Sequence, residues 1–81
     1  MNSQDIKSKV TAIVVDKLNV PAEEVIPSAH FANDLGADSL DQVELVMEFE
    51  KEFDLHIGDD QTATLQTVGS VIGFLEKKLN K

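Results

Sequence analysis

The segment Gly36-Ala37-Asp38-Ser39-Leu40 places a serine hydroxyl at the predicted start of a helix. A glycine interrupts the chain, and an acid and a serine then precede apolar residues at helical spacing, as is common at helix N-termini. We predict Asp38 as the N-cap and Ser39 as the first helical residue, with Asp41 in the first turn. The positive end of the helix dipole favours a phosphate attached to Ser39. Asp38 and Ser39 can equally serve only to cap the helix, so these residues alone leave the choice open.

The sequence contains no recognisable catalytic or metal-binding arrangement around this serine. Ser39 does not lie in a Gly-x-Ser-x-Gly segment, and neither His30 nor His56 is an evident base for it. The acids that begin at Asp34 do not form an EF-hand loop, because Ser39 and Leu45 occupy the positions that need glycine and a bidentate acid. The chain has no cysteine, which excludes a disulfide framework and a thiolate metal site. We therefore expect no enzyme activity and no metal.

The length and hydropathy of the chain are typical of one small helical domain. Its 81 residues predict a single domain over 1–81 with a simple core. The longest uninterrupted apolar run, Ala12 to Val15, is too short for a membrane span or a signal-peptide core. The expectation is a soluble, cytoplasmic protein without membrane insertion.

The acidic charge is concentrated in the middle of the chain. The formal net charge is −8, and arginine is absent. Ten of the 15 acidic residues lie between Asp34 and Asp60, together with one lysine, Lys51. Such a surface disfavours nucleic acid and anionic membranes and favours partner proteins with basic patches. A solvated face that only aids solubility is the alternative.

The first helix and the connection after it are marked by apolar spacing and by proline. We predict a first amphipathic helix capped by Asn2 or Ser3, with the apolar residues Ile6, Val10, Ile13, Val14 and Leu18. A long loop follows from Asn19 to Ala37, with one short helical turn that has Pro21 at its first position. A loop of this length needs anchors to the core. The predicted anchors are Val25, Ile26, Phe31 and Leu35.

The second helix, predicted from about Ser39 to Phe53, has two apolar stripes. At about 100° per residue, one stripe contains Leu45, Val46, Phe49 and Phe53, and the other contains Leu40, Val43 and Met47. A surface helix needs only one such stripe for the core. The second stripe, with acids on both sides, has the layout of a docking surface. Burial of both stripes between neighbouring helices is the alternative.

Two further helices complete an all-α prediction. Asp54 to Gly58 ends the second helix, and Asp59 caps a marginal third helix that extends to Thr64. Thr67 caps a fourth helix, in which Gly69 and Gly73 are expected to weaken the exposed side. The apolar residues of that helix are Val68, Val71, Ile72, Leu75 and Leu79. The prediction is a small four-helix bundle with three longer helices, a short third one and a long loop between the first two.

The run from Phe31 to Asp41 resembles the modification motif of the acyl carrier proteins in their freestanding bacterial form. Val43-Glu44-Leu45-Val46-Met47 continues the motif, and the resemblance extends over nearly the whole chain. It implies a 4′-phosphopantetheine arm esterified to Ser39, donated from coenzyme A by a phosphopantetheinyl transferase. The arm ends in a thiol that carries acyl thioesters, so the protein itself would not catalyse a reaction. The cargo would be presented to enzymes of fatty-acid or related lipid or polyketide biosynthesis.

The resemblance also implies two functional surfaces and a set of partners. Acyl synthase, transferase and reductase enzymes with basic patches would dock on the second helix of a monomeric carrier. The docking residues implied are Asp38, Leu40, Asp41, Val43, Glu44, Met47 and Glu50. The acyl chain would lie in the bundle core, and the lining implied is Leu45, Phe49, Ile57, Leu65, Val71 and Leu75.

Three other functions remain open at this point. An adaptor without a prosthetic group would bind partners independently of Ser39. An aminoacyl or peptidyl carrier would share the modification and differ in cargo, although the acidic Leu-Gly-Ala-Asp-Ser-Leu form favours acyl chains. Lys51, Gly58 and Phe74 differ from the residues that are frequent in the family at these positions. A second carrier dedicated to another lipid or to a polyketide is therefore also possible.

Overall fold

The structure, a computed structural model, describes residues 2–79 and folds them into four α-helices and a short 3₁₀ turn. The helices are α1 (Ser3–Leu18), α2 (Ser39–Phe53), α3 (Asp59–Thr62) and α4 (Val68–Leu79), and the 3₁₀ turn is Ala22–Glu24. Within 2–79 there is no strand, only one isolated antiparallel pair between His30 and Thr67. The all-α bundle with a long first connection is confirmed. Met1, Asn80 and Lys81, included in the predicted domain 1–81, lie outside the described residues.

Helix α1 is defined by polar caps at both ends and packs against both α2 and α4. The Asn2 side chain accepts a hydrogen bond from the Asp5 N–H at 2.8 Å, which satisfies one of the free donors of the first turn. The helix ends at Asn19, whose left-handed backbone (φ 56°) donates its N–H to the carbonyl of Val15. The residues of α1 that it buries completely are Ile6, Val10 and Val14.

The connection from α1 to α2 is anchored by Val25, Phe31 and Leu35, which are buried as predicted. Ile26 is not an anchor, because its side chain is 49% exposed. Its carbonyl accepts the Ala29 N–H at 2.9 Å, so Ile26 begins a surface turn. Buried alanines, which the sequence interpretation did not count as anchors, complete this layer at positions 29 and 37. The 3₁₀ turn lies where a helical turn was predicted, but Pro21 precedes it instead of being its first residue.

Backbone hydrogen bonds fasten this connection to the start of α4. Phe31 N–H donates to the Gln66 carbonyl at 3.0 Å, and Gly69 N–H donates to the Pro27 carbonyl at 2.9 Å. A Cβ at Gly69 would lie 2.9 Å from that same carbonyl oxygen, so the contact requires glycine. The prediction that Gly69 merely weakens an exposed helix side is therefore wrong. Thr67 does cap α4, since its hydroxyl accepts the Ser70 N–H at 3.1 Å.

Helix α3 is shorter than predicted and begins differently. It spans four residues instead of reaching Thr64, and Gly58, not Asp59, occupies the N-cap position. Gln61 takes over the capping, because its side-chain oxygen accepts the Gly58 N–H at 3.2 Å. No residue of α3 is buried, so the helix has no apolar face of its own on the core. The prediction of a marginal third helix is consistent with this arrangement.

Candidate functional site

The start of α2 is fixed by a reciprocal capping box. The Asp38 carboxylate accepts the Asp41 N–H at 2.8 Å, and the Asp41 carboxylate accepts the Asp38 N–H at 3.2 Å. The prediction of Asp38 as the N-cap is confirmed. Gly36, at φ +73°, provides the left-handed turn that leads the chain into this helix. Two backbone donors are thereby satisfied by side chains, which stabilises the start of the helix.

The loop before this helix start is held by its own hydrogen bonds. The Asp34 carboxylate accepts the His30 N–H at 2.7 Å, and the His30 carbonyl accepts the N–H groups of Asp34 and Leu35. The imidazole Nδ1 of His30 accepts the Asn33 N–H at 3.3 Å. His30 is thus occupied in shaping the loop.

Ser39 is exposed at the first position of α2. Among residues 2–79 its hydroxyl has no hydrogen-bond partner, and the N–H groups of Ser39 and Leu40 have no protein acceptor. Such free N–H groups form the positive end of the helix dipole. The hydroxyl is therefore available for covalent modification, and its surroundings suit an attached phosphate.

We expect Asp38→Ala to lower the free energy of unfolding by about 1 kcal/mol, because it removes the acceptor for the Asp41 N–H. Urea unfolding of the unmodified protein measures this change. Asp38→Asn is the matched control, since asparagine caps helices about as well as aspartate. Equal destabilisation by the two variants would show that charge, and not the cap hydrogen bond, accounts for the effect.

The two apolar stripes of α2 face opposite environments. Leu45, Phe49 and Phe53 are at most 5% exposed. Leu40, Val43 and Met47 are 65%, 53% and 59% exposed, respectively. Val46, which the sequence assigned to the inner stripe, is half-buried. The alternative, in which neighbouring helices bury both stripes, is therefore wrong. Only the inner stripe is buried, and the outer one remains as an apolar strip on the surface of the described chain.

The acids of α2 differ in how far their charge is already paired. Glu48 lies 3.7 Å from both Lys17 and Lys51, and Glu52 lies 2.9 Å from Lys9. The hydrogen bond and charge of Glu52 raise the pKa of Lys9 above its usual value. By contrast, Glu44 is exposed, and no ion pair to it occurs within the described residues. Lysines thus offset part of the charge toward the C-terminal end of α2, and the free charge lies closer to Ser39.

Glu50, a predicted docking residue, has its carboxylate turned toward the protein. Its side chain is 27% exposed, and one carboxylate oxygen accepts the Ile57 N–H at 2.7 Å. The same oxygen lies 3.3 Å from Nδ1 of His56. Glu50 therefore supports the connection between α2 and α3, a contact that helical periodicity alone does not reveal.

A small apolar cleft lies beneath α3. Its lining is Phe31, Gln42, Leu45, Val46, Phe49, Thr62, Leu65 and Val71. Four of the six predicted pocket residues are among them, whereas Ile57 and Leu75 are buried in the core outside this lining. The volume is about 10 Å³, which is no more than the space of one water. The cleft as it stands therefore has no room for an alkyl chain.

Four cleft residues were not predicted as lining, although some sequence signals pointed to them. Phe31 and Val46 were assigned to the core, which here is continuous with the cleft. Gln42 lies three residues before Leu45 and so shares its helix face. Thr62 lies in a region that the sequence marked only as a weak helix. Because Thr62 is polar, it does not contribute to the pattern of apolar residues from which a buried helix face is predicted.

Two further structural features bear on the class of protein. No helix within residues 2–79 has the length and apolar character needed to cross a membrane. In the same range, no group of three or more histidine or acidic residues is arranged to hold a metal ion.

Comparison with known proteins identifies the family. A family model described as the phosphopantetheine attachment site matches residues 8–75. Acyl carrier proteins from two strains of Porphyromonas gingivalis are each 57% identical over 75 residues, covering 93% of this chain and 96% of theirs. One from Amoebophilus asiaticus is 55% identical, with 93% and 94% covered. The chain belongs to the acyl carrier protein family.

The fold comparison agrees with this assignment. The structure of an acyl carrier protein from Enterococcus faecalis, 28% identical, superposes with a TM-score of 0.82. The match covers 95% of this chain and 98% of that one. As a member of the acyl carrier proteins, the chain has phosphopantetheine as its prosthetic group and carries acyl groups in fatty acid synthesis. The resemblance seen in the motif is confirmed.

Proposed function

We propose that the phosphopantetheine arm of this carrier is attached to Ser39. The observation that carries the proposal is the exposed, unbonded hydroxyl at the capped start of α2. Ser39 also lies within the 8–75 range of the family match. When attached, the arm supplies the thiol for acyl thioesters that the cysteine-free chain lacks.

Incubation of the unmodified protein with coenzyme A and a promiscuous phosphopantetheinyl transferase tests the proposal. The intact mass should increase by one phosphopantetheine group, and peptide mapping should place it on the peptide that contains Ser39. A protein that gains no group, or gains it on another peptide, would contradict the assignment.

The role of the chain itself is to carry and not to catalyse. Within the described residues, both histidines are engaged away from Ser39, His30 with Asn33 and His56 with Glu50. Neither histidine is therefore available to the serine as a general base, and the carboxylates of Asp38 and Asp41 are used in the cap. In this proposal the transferase supplies the catalysis of the modification, and the enzymes that receive the cargo supply the later chemistry.

Partner enzymes dock on the outward face of α2 in this proposal. Leu40, Val43 and Met47 form the apolar centre, and the free charge of Glu44 attracts basic residues. Asp38 and Asp41 contribute charge from within the cap. Exposed ion pairs contribute about 0–1 kcal/mol each, which suits brief encounters of a monomeric carrier with several synthases, transferases and reductases.

The charge of Glu44 provides a test of docking. At low salt, we expect Glu44→Gln to raise the KM of the unmodified carrier in the transferase reaction about two- to fivefold, with little change in kcat. The difference should vanish near 1 M salt, where the screening length is about 3 Å. Glu52→Gln is the control on the same helix, because Glu52 is already paired with Lys9. A salt-independent KM would remove the electrostatic part of the proposal.

The cargo shelters in the cleft beneath α3 in this proposal. Phe49, Leu65 and Val71 line it with apolar surface, and Gln42 lies on the α2 side. Moving an acyl chain from water into this apolar cleft is favourable by about 0.8 kcal/mol for each CH₂ group that is buried. Because the cleft holds no more than one water, it has to widen before a chain can enter, and we expect α3, which buries no residue, to be the part that moves.

A further inference from the structure

Helix α3 covers the cleft although it has no buried residue of its own. Thr62, its last residue, lines the cleft, and Leu65 after it does as well. The buried residues Ile57 and Leu65 flank the helix and anchor it to the core. The position of α3 therefore depends on how the segments on its two sides are held.

The segment on the C-terminal side of α3 is held by the backbone. Gln66 accepts the Phe31 N–H at 3.0 Å. The N–H of Val68 donates to the Ala29 carbonyl, also at 3.0 Å. The hydrogen bond between Gly69 and Pro27 follows directly. All three are bonds between backbone groups, so they do not depend on any one side chain. A single side-chain substitution should therefore leave this end of α3 in place.

Besides the buried side chain of Ile57, one residue of α2 holds the segment on the N-terminal side of α3. The Glu50 carboxylate accepts the Ile57 N–H at 2.7 Å and contacts His56, and the Glu50 carbonyl accepts the Leu55 N–H at 3.2 Å. The carboxylate bond is partly buried, so it is stronger than an exposed one. The two ends of α3 are thus fastened unequally.

We propose that Glu50 is a positioning residue that latches the N-terminal end of α3 over the cleft, and that breaking its hydrogen bond to Ile57 gives the cleft its opening movement. The consequence for the acyl chain rests on the proposed function, in which the cleft holds the cargo. The carboxylate acts through Ile57 and needs no contact with the chain. In this role, the length of the side chain and its acceptor oxygen matter more than its charge.

Two conservative variants separate this role from docking. Glu50→Asp keeps the charge but is one methylene too short to reach the Ile57 N–H. Glu50→Gln keeps the reach and an acceptor oxygen but loses the charge. A latch predicts that the aspartate variant opens and the glutamine variant stays nearly closed. If Glu50 served only in partner docking, the order would be reversed: Glu50→Gln, which loses the charge, would raise the KM of the carrier for a partner enzyme more than Glu50→Asp.

Amide hydrogen exchange of the unmodified protein measures the latch without any prosthetic group. In Glu50→Asp, exchange from Ile57 to Leu65 should accelerate about tenfold to a hundredfold, because a hydrogen bond to a charged group is lost. The amides of Val10 and Val14 in α1 should keep their wild-type rates. Glu50→Gln should change the exchange less than about fivefold. Unchanged exchange in Glu50→Asp, equal opening by both variants, or equal acceleration in α1 would overturn the proposal.

A second measurement connects the latch to the cargo. With a medium-length saturated acyl chain on the arm, hydroxylamine should cleave the thioester faster in Glu50→Asp than in the wild type and Glu50→Gln. Faster exchange without faster cleavage would overturn the link between the latch and the cargo, and would leave the attachment at Ser39 unaffected.

Discussion

Ser39→Ala should abolish phosphopantetheine attachment completely while leaving the fold intact. The hydroxyl oxygen is the atom that forms the phosphodiester, and alanine offers no replacement. The substitution removes no hydrogen bond, since the cap is formed by Asp38 and Asp41. Alanine is also a good helix former at an exposed position. The free energy of unfolding should therefore stay within about 0.5 kcal/mol of the wild-type value.

Intact mass spectrometry after reaction with coenzyme A and transferase measures the loss, and urea unfolding measures the stability. Ser28→Ala is a suitable control, because Ser28 is an exposed serine in the first connection and should leave the modification unchanged. An adduct on Ser39→Ala would move the attachment site elsewhere. If Ser39→Ala also lost its fold, the missing adduct could result from unfolding. Asp38→Ala, which is destabilised but retains the hydroxyl, is therefore compared in the same assay.

Most of the fold could be predicted from the sequence because local signals agree with the packing. The spacing of Leu45, Phe49 and Phe53 identifies one buried face, and Asp38 marks the start of the helix that carries it. These signals act within one helical turn and so appear directly in the sequence. The exposure of Val43 and Met47 follows from the same geometry.

The errors arose where contacts between distant segments decide the outcome. Gly69 looks like a weak helix position until the carbonyl of Pro27 is seen against it. Ile26 is apolar, yet a surface turn directs it outward. The docking role predicted for Glu50 stays a prediction, but the contact of its carboxylate with the Ile57 N–H was not foreseen. Hydrophobic periodicity describes only which face of a helix is apolar and does not predict contacts between distant segments. These contacts could be identified only from the structure.

The cleft was only partly predictable for a related reason. Leu45, Leu65 and Val71 were expected to line it as core residues, and they do line it. Thr62 and Gln42 were missed because, in the sequence, a polar residue that lines a cleft cannot be distinguished from a polar residue on the open surface. The difference between core and cleft lies in the packing of α3, which has too few residues to give a periodic signal.

Phe49→Ala should destabilise the fold by about 3–5 kcal/mol. Phe49 is 1% exposed and belongs to the largest fully buried side chains, so its removal leaves a cavity in the centre of the bundle. Domains of this size are stable by only about 4–12 kcal/mol. The melting temperature should therefore fall by more than about 12 °C. Met47→Ala is the matched control on α2, since Met47 is 59% exposed and should change stability by less than about 0.5 kcal/mol.

Phe49→Leu tests whether the same side chain also limits the cleft. Leucine retains apolar contacts and should cost less than Phe49→Ala, so the bundle stays folded. Because Phe49 lines a cleft of only about 10 Å³, the smaller side chain leaves more room for cargo. Attached acyl chains of increasing length should then raise the melting temperature of Phe49→Leu more than that of the wild type. Equal increases in the two proteins would indicate that Phe49 serves the core alone and that the chain lies elsewhere.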